Sequence, residues 1–192
     1  MIDSYSTLKK FINADRNSLR PGKRYIYILV DPIWRFQVIL RFYEYVINRR
    51  TNAFIRTFVK LIFNYSSRNN GFSIPPNVFG PGLSIAHYGT IAVNGNAKIG
   101  ANCRIHVDVC IGASGRDSLA PKIGDDCYIG PGVKIFGNVT IESGVAIGAN
   151  SVVNKSILEK NITVAGNPSR VICNSRGSEG LIKKGYNSNV DV

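Results

Sequence analysis

Two histidines are the residues of this 192-residue chain best suited to acid–base chemistry. An imidazole with a pKa near neutrality can remove a proton from a hydroxyl group while the hydroxyl oxygen attacks a carbonyl carbon. His87 lies in an irregular, glycine-bounded stretch, and His106 follows 19 residues later inside a regular repeat. We therefore interpret His87 as a candidate general base. His106 is either a candidate substrate-binding residue or an ordinary structural histidine.

A six-residue period organises the sequence from Val93 to Leu158. A period of six fits neither an amphipathic helix nor a simple two-sided strand. It fits a coil with flat sides of six residues, in which branched side chains point inward and Gly, Asn and Asp form the turns. Three sides make a triangular prism with about 18 residues per turn. The branched column consists of Val93, Ile99, Ile105, Ile111, Ile123, Ile129, Ile135, Ile141, Ile147 and Val153.

The six-residue register breaks once, between Ile111 and Ile123. Residues 112–122 are predicted to form a loop that leaves the coil and returns, and such loops commonly carry function. A decorative insertion is the alternative for this loop, and a β-sandwich is the alternative for the fold as a whole. With 18 residues in every turn, the expected inward columns are Ile105–Ile123–Ile141 and Ile99–Asp117–Ile135–Val153.

The chain divides into a basic N-terminal region and a repeat body. The net charge is +12, and residues 1–70 contain 13 Lys and Arg against 4 Asp and Glu. We expect a helical region over residues 1–70, with helices near 33–49 and 51–65, a mainly β coil over residues 71–172, and a loose tail over residues 173–192. No apolar run is long enough to span a membrane.

Two interpretations fit the basic and aromatic residues of the N-terminal region. They form either a layer packed on the coil or an interfacial surface that attracts anionic lipid. No nucleic-acid motif accompanies the charge. The four cysteines contain no CxxC pair, and Cys103 and Cys127 occupy small-residue positions of the repeat, so we expect them in the core. No secretion signal is recognised, which favours a cytoplasmic setting, with peripheral contact at the inner membrane face as a further expectation.

Residues 71–172 resemble the left-handed β-helix hexapeptide acyltransferases, and within them the serine-acetyltransferase-like branch. The resemblance rests on the hexads and on the motifs at 85–90, 121–124, 134–139 and 165–168. It implies a homotrimer with active sites in the clefts between neighbouring prisms and acetyl-CoA lying along each cleft. It also implies that His87 deprotonates the acceptor hydroxyl, that backbone N–H groups stabilise the oxyanion, and that no metal or acyl-enzyme is needed.

The resemblance also assigns candidate binding positions. Tyr88 and His106 are candidate substrate contacts, and Arg170 is a candidate phosphate partner. The positions that match the cofactor contacts of the family are Ala113, Pro131, Ala149, Gly166, Asn167 and Pro168.

The chain departs from serine acetyltransferases at the positions that would contact serine. Ala86 stands where those enzymes have Asp, Leu119-Ala120 stands where they have Arg-His, and Phe72 stands where they have an orienting Asp. A zwitterion without charged partners costs several kcal/mol to bind. A neutral saccharide hydroxyl is therefore the predicted acceptor, as in the exopolysaccharide O-acetyltransferases of the colanic-acid type. Serine acetylation and a non-catalytic scaffold are the alternatives, and Asp108 and Asp117 are candidates to orient His87.

Overall fold

The chain begins with helices that start where the sequence places helix-start signals. Asp31 caps helix α2 (Pro32–Asn48), because its carboxylate accepts hydrogen bonds from the backbone N–H groups of Ile33 and Trp34. Helix α1 (Tyr5–Leu19) and a 3₁₀ helix (Tyr25–Leu29) precede it. The computed structural model describes residues 1–22, 24–115 and 118–187.

Helix α3 (Ala53–Asn70) continues five residues beyond the helix that the sequence predicts near residues 51–65. The polar residues Ser66, Ser67 and Asn70 are buried, and the Asn70 side chain donates to the Ser66 carbonyl oxygen. The helix ends at Gly71, whose φ of 77° lies in the left-handed region that favours glycine. The small polar side chains therefore form the last helical turn against the coil.

The described part of the chain then forms fourteen short strands wound as a left-handed parallel β-helix, which confirms the predicted fold class. The inward residue of nearly every strand is buried, as the six-residue period predicts. The strands are β1 (Phe72–Ser73), β2 (Ser84–Ile85), β3 (Ile91–Val93), β4 (Lys98–Ile99), β5 (Arg104–Ile105), β6 (Val109–Gly112), β7 (Lys122–Ile123), β8 (Tyr128–Ile129), β9 (Lys134–Phe136), β10 (Thr140–Ile141), β11 (Ala146–Ile147), β12 (Val152–Val153), β13 (Thr163–Ala165) and β14 (Arg170–Cys173).

Three sheets form the sides of the prism. The five-stranded side has the order β1-β3-β6-β9-β12, the three-stranded side has β4-β7-β10, and the six-stranded side has β2-β5-β8-β11-β13-β14. Neighbouring strands pair in parallel along each side. The exception is β14, which folds back antiparallel on β13 and ends the coil.

The predicted inward columns are wrong across the loop. Ile105 pairs with Ile129 rather than with Ile123, so this turn holds 24 residues (129 minus 105). The next turn, from Ile129 to Ile147, holds 18 (147 minus 129). The extra six residues leave the coil between β6 and β7, as the loop prediction requires, and therefore occupy none of its sides. The true columns are Ile105–Ile129–Ile147, Ile99–Ile123–Ile141 and Ile111–Ile135–Val153.

The helical region packs on the first turns of the coil through a buried network of charges. Arg41 is fully buried and binds the carboxylates of Asp15 (2.7 Å) and Glu44 (3.0 Å). Its guanidinium also donates to the carbonyl oxygens of Phe79 (2.9 Å) and Gly80 (2.6 Å) in the coil. Burial opposes the charge of Arg41, but the two carboxylates raise its pKa above the ordinary value. Of the two interpretations of the basic residues, the layer packed on the coil is therefore the one that applies to Arg41.

Up to Asn187, the C-terminal segment makes specific contacts and is not the loose tail that the sequence predicts. The Lys184 ammonium binds the Asp126 carboxylate at 2.6 Å, and the Tyr186 backbone N–H donates to the Asn102 side-chain oxygen at 2.9 Å. The Gly185 backbone N–H donates to Ser18 Oγ in α1. This segment thus ties the helical region to the side of the coil. Among the described residues, no helix is both long enough and apolar enough to cross a bilayer.

Candidate active site

The candidate base His87 lies in a short loop between β2 and β3. Ile85 is buried in the coil, and two residues later the His87 imidazole is exposed to solvent. The Gly89 N–H donates to the Asn70 carbonyl oxygen at 2.8 Å, which anchors the loop to the end of α3. Gly89 has a φ of 130°, and a Cβ there would lie 2.6 Å from Val107 Cγ2. The loop therefore needs glycine at this position to pass so close to the next turn.

His87 heads a column of three rings on successive turns of the coil. Its ring centroid lies 6.0 Å from that of His106, which in turn lies 5.1 Å from that of Tyr128. The structure therefore brings the two predicted histidines together on one side of the prism. Sequence reasoning missed Tyr128, because its position beside His106 depends on the 24-residue turn.

His106 is held in its neutral form. Burial, the Arg104 cation and His87 together lower its pKa to about 4. Its Nε2 atom is buried and has no hydrogen-bond partner among the described residues. At neutral pH one ring nitrogen of a neutral imidazole is an acceptor and the other a donor, so His106 can bind a hydroxyl group without adding charge beside His87.

The candidate carboxylate of Asp108 binds a lysine rather than His87. Asp108 lies on the corner after β5, where its exposed carboxylate binds Lys134 Nζ at 2.8 Å. Lys134 Nζ also donates to the Asp108 carbonyl oxygen. Asp117 lies outside the described residues. A role for either residue in orienting His87 stays a prediction.

Tyr88 points toward the helices rather than along the coil. It lines a groove of about 460 Å³ together with residues of α2 and α3. The groove is bordered by the apolar side chains of Ile39 and Ile62, by the Tyr65 ring and by the Arg35 side chain. The residue after the candidate base is thus part of the junction between the helical region and the coil.

One edge of the prism carries most of the residues expected to contact the cofactor. This edge is the corner at which the chain leaves each strand of the six-stranded side. Neighbouring turns are joined there by backbone hydrogen bonds, such as the one from the Asn150 N–H to the Pro131 carbonyl oxygen at 2.8 Å. In order along the prism, the edge contains His87, His106, Pro131, Ala149 and the turn Gly166-Asn167-Pro168.

Of the two remaining predicted cofactor contacts, one lies away from this edge and the other lies beside it. Ala113 follows β6 and therefore lies at the opposite end of the five-stranded side. It is five residues, or about 16 Å, along the chain from the corner at Asp108. Arg170 begins β14, beside the 166–168 turn, and its guanidinium is exposed. Within one chain the structure brings Arg170 but not Ala113 to the candidate cofactor edge.

The positions that differ from the serine acetyltransferase pattern are apolar in their surroundings as well. Phe72 is buried, and its ring centroid lies 4.9 Å from that of Phe36 in α2. Ala120 is buried and Ala86 is partly buried. Among the described residues no group of three or more His, Cys, Asp or Glu side chains is arranged to hold a metal ion.

Comparisons with known proteins agree with the fold. Residues 120–155 match the family described as Bacterial transferase hexapeptide (six repeats). A serine acetyltransferase of Staphylococcus epidermidis is 33% identical over 149 residues, which cover 76% of this chain and 66% of that protein. The chain thus spans slightly less than two thirds of the length of this relative.

Two solved structures extend the similarity to the helical region. Serine acetyltransferase from Brucella abortus in complex with coenzyme A is 27% identical, with a TM-score of 0.71 over 90% of this chain and 68% of that one. Soybean serine acetyltransferase complexed with serine is 26% identical, with a TM-score of 0.70 over 87% of this chain and 68% of that one. These relatives give no support to the exopolysaccharide branch that the sequence favoured. The chain therefore has the left-handed β-helix fold built from hexapeptide repeats, and it is similar to serine acetyltransferases over most of its length.

Proposed function

We propose that this protein is an O-acetyltransferase that moves the acetyl group of acetyl-CoA to a hydroxyl group. The observation that carries the proposal is the prism edge, on which the exposed His87 imidazole stands in line with the predicted cofactor positions. Four steps between turns, of about 4.8 Å each, separate His87 from the 166–168 turn, or roughly 19 Å. That length suits an elongated cofactor with its thioester at one end. A similar structure contains coenzyme A.

The reaction proceeds by direct attack. An acceptor hydroxyl oxygen forms a bond with the thioester carbonyl carbon while a nitrogen of His87 takes the hydroxyl proton. Backbone N–H groups stabilise the oxyanion of the tetrahedral intermediate. When the carbon–sulfur bond breaks, the imidazolium returns the proton to the thiolate, and the products are an acetyl ester and free coenzyme A. No metal ion and no acyl-enzyme takes part.

We propose that His106 and Tyr128 bind the acceptor beside His87. The half-buried His106 ring lies between His87 and Tyr128, with ring centroids 6.0 Å and 5.1 Å away, and can contact an acceptor that is bound beside His87. A charged imidazolium at this position would lower the affinity of His87 for a proton. The low pKa of His106 avoids this effect at neutral pH.

We infer that the working form is a homotrimer. Ala113 lies on a different corner of the prism from the other predicted cofactor contacts. It can therefore join the cofactor only from a neighbouring copy, across a cleft between two prisms. A trimer of parallel prisms supplies three such clefts by symmetry.

Serine is the first candidate acceptor. The relatives described above are named serine acetyltransferases, and one solved structure contains serine. The second candidate is a neutral hydroxyl of a saccharide. It is favoured by the uncharged side chains of Ala86, Leu119 and Ala120 at the positions that would contact the charged ends of serine. The lipid-linked form of that saccharide and membrane contact stay predictions.

Release of free thiol from acetyl-CoA tests these proposals. With the correct acceptor, His87→Ala should lower kcat/KM by about 10² to 10⁴-fold, because general base catalysis is lost. The variant should still be stabilised by coenzyme A in a thermal shift assay, which shows that its cofactor site is intact. Full turnover by His87→Ala would contradict the base assignment.

Two further measurements separate the alternatives. L-Serine and neutral saccharides are compared as acceptors at equal concentration, and rapid turnover of L-serine would exclude the saccharide as the main acceptor. If coenzyme A at millimolar concentration does not raise the melting temperature of the wild-type protein, a non-catalytic scaffold is favoured instead.

A further inference from the structure

Helix α3 presents an exposed apolar stripe. Phe54, Phe58, Leu61 and Tyr65 are between 63% and 86% exposed. Their spacing of four, three and four residues places them on one face of the helix. The opposite face, which includes Val59 and Phe63, is buried against the rest of the protein. The stripe is therefore a second apolar face that the described structure leaves uncovered.

The segment that carries the stripe is positive and contains no exposed carboxylate. Between residues 24 and 107, all of which are described, the only carboxylates are Asp31 and Glu44. Both are buried, and they are paired with Arg20 and Arg41, respectively. Seven cations of the region 24–70 are exposed: Arg24, Arg35, Arg49, Arg50, Arg56, Lys60 and Arg68.

Arg35 connects the stripe with a second exposed apolar cluster. Its guanidinium donates to the Leu29 carbonyl oxygen, at the end of the 3₁₀ helix, at 3.4 Å. Ile26, Leu29 and Val30 are between 67% and 71% exposed. Arg35 also lines the groove that contains Tyr65 of the stripe. We call this continuous region, comprising the 3₁₀ helix, Arg35 and the outer face of α3, the basic apolar surface.

We propose that the basic apolar surface binds the face of an anionic lipid bilayer. Exposed aromatic and aliphatic side chains enter the headgroup boundary, and the surrounding cations interact with acidic headgroups. A second copy of the chain fits less well, because it would place the cations of this surface opposite those of its partner, and residues 24–107 contain no exposed carboxylate to pair with them. No helix in the described residues spans a membrane, so the protein lies on the bilayer.

The basic apolar surface adjoins the candidate active site. Tyr88, the residue after His87, lines the same groove as Arg35 and Tyr65. A protein bound through this surface therefore holds the His87 loop close to the headgroup layer. In the proposed homotrimer, symmetry places three such surfaces at the same end of the molecule.

Sedimentation with vesicles tests the proposal on the full chain. Phosphatidylcholine vesicles with and without 30% phosphatidylglycerol provide the anionic and neutral surfaces. We expect binding to the anionic vesicles that is at least tenfold stronger than to the neutral ones and that weakens as salt is added. The double variants Phe58→Ser/Leu61→Ser and Arg35→Glu/Arg68→Glu should each reduce binding to anionic vesicles by tenfold or more.

Matched variants of exposed residues far along the chain serve as controls. Leu158→Ser/Ile172→Ser removes two exposed apolar side chains, and Lys155→Glu/Lys183→Glu reverses two exposed charges. Both should bind vesicles as the wild type does. Equal losses in the control and test variants would overturn the proposal, as would a test variant that halves the oligomer mass without changing vesicle binding. Vesicle binding is measured without acetyl-CoA, so its outcome is independent of the acetyl-transfer assay.

Discussion

In the coil, each inward position holds a branched aliphatic side chain stacked on another one a turn away. In the helical region, the most deeply buried positions include an arginine and two carboxylates. One inward column consists of Ile105, Ile129 and Ile147, and a different pairing of these identical side chains would leave the chemistry of the core unchanged. Arg41, by contrast, has specific partners on α1, α2 and the coil. Repetition thus determines the coil, and a few specific polar contacts determine where the helices dock on it.

The same contrast extends to the outer surfaces. Each turn of the coil buries its apolar side chains against its neighbours, and its exposed residues are mostly polar. Helix α3 buries one apolar face and exposes another, from Phe54 to Tyr65. The candidate active site lies where the two regions meet, because the His87 loop is hydrogen-bonded to the end of α3 through Gly89 and Asn70.

The largest stability effect is expected at the buried arginine. Arg41→Met leaves the carboxylates of Asp15 and Glu44 buried without their cation, and removal of one partner of a buried ion pair costs about 3–5 kcal/mol. Chemical denaturation followed by circular dichroism measures the change. We expect the helical signal to be lost first and the β signal to remain. The control Arg49→Met removes an exposed arginine that lies over the Tyr45 ring, and it should change stability by less than about 0.5 kcal/mol.

A core substitution in the coil should have a smaller effect that reaches both regions. Ile129→Ala removes buried methyl groups from the middle of a column and should cost about 3 kcal/mol, whereas Ile129→Val should cost about 1 kcal/mol. Because repeat units are stabilised by their neighbours, a weakened central turn should lower the stability of the turns on both sides. Hydrogen exchange that remained unchanged at β5 and β11 would contradict this coupling.

The coil was predictable from the sequence, because its contacts repeat. The docking of the helices was not, because it depends on single contacts that do not repeat. The period of a repeated apolar column can be read directly from the sequence. The positive φ values of Asn102, Asp126 and Asn161 confirm the prediction that Asn and Asp form turns at the corners of the coil. Arg41 and Arg49 look alike in the sequence, and only the contacts of the folded chain show that one is buried. The inward columns were misassigned because the six-residue period of the strands does not show how many residues of the 112–122 loop leave the coil.

The candidate site was predictable to a similar degree. The glycine-bounded stretch drew attention to His87, and the structure does bring His106 beside it. Tyr128 was missed because its alignment follows from the 24-residue turn. Phe72 stands where serine acetyltransferases have an orienting Asp. Its ring packs on Phe36 of α2 and leaves no room for a carboxylate there. That last fact depends on helix docking, which the sequence does not show.

At the junction between the regions, the substitution Gly89→Ala should cost about 2 kcal/mol. A side chain there is strained at a φ of 130°, and its Cβ would lie 2.6 Å from Val107 Cγ2. Because the loop also positions His87, acetyl transfer should fall more than the loss of stability explains. Thermal unfolding and thiol release are measured on the same preparations. Gly95→Ala, where the added Cβ makes only ordinary contacts of 3.8 Å with Pro75, is the matched control and should leave both properties unchanged. Equal behaviour of the two variants would show that the loop is not constrained by the next turn.

The smallest expected effect is a pH dependence of the unfolding free energy caused by His106, which lies on the coil side of the junction. The pKa of His106 is lowered from 6.5 to about 4, so below pH 6.5 the unfolded chain binds a proton that the folded chain does not. Stability is therefore fully present above pH 6.5 and is lost as the pH falls toward 4. The whole shift corresponds to about 3.4 kcal/mol, and solvent around the half-buried ring reduces it to about 1 kcal/mol. His106→Asn should remove this part of the decrease in stability between pH 6.5 and 4. If the unfolding free energies of wild type and variant changed in parallel over this range, the position of the imidazole in the column would not be what holds it neutral.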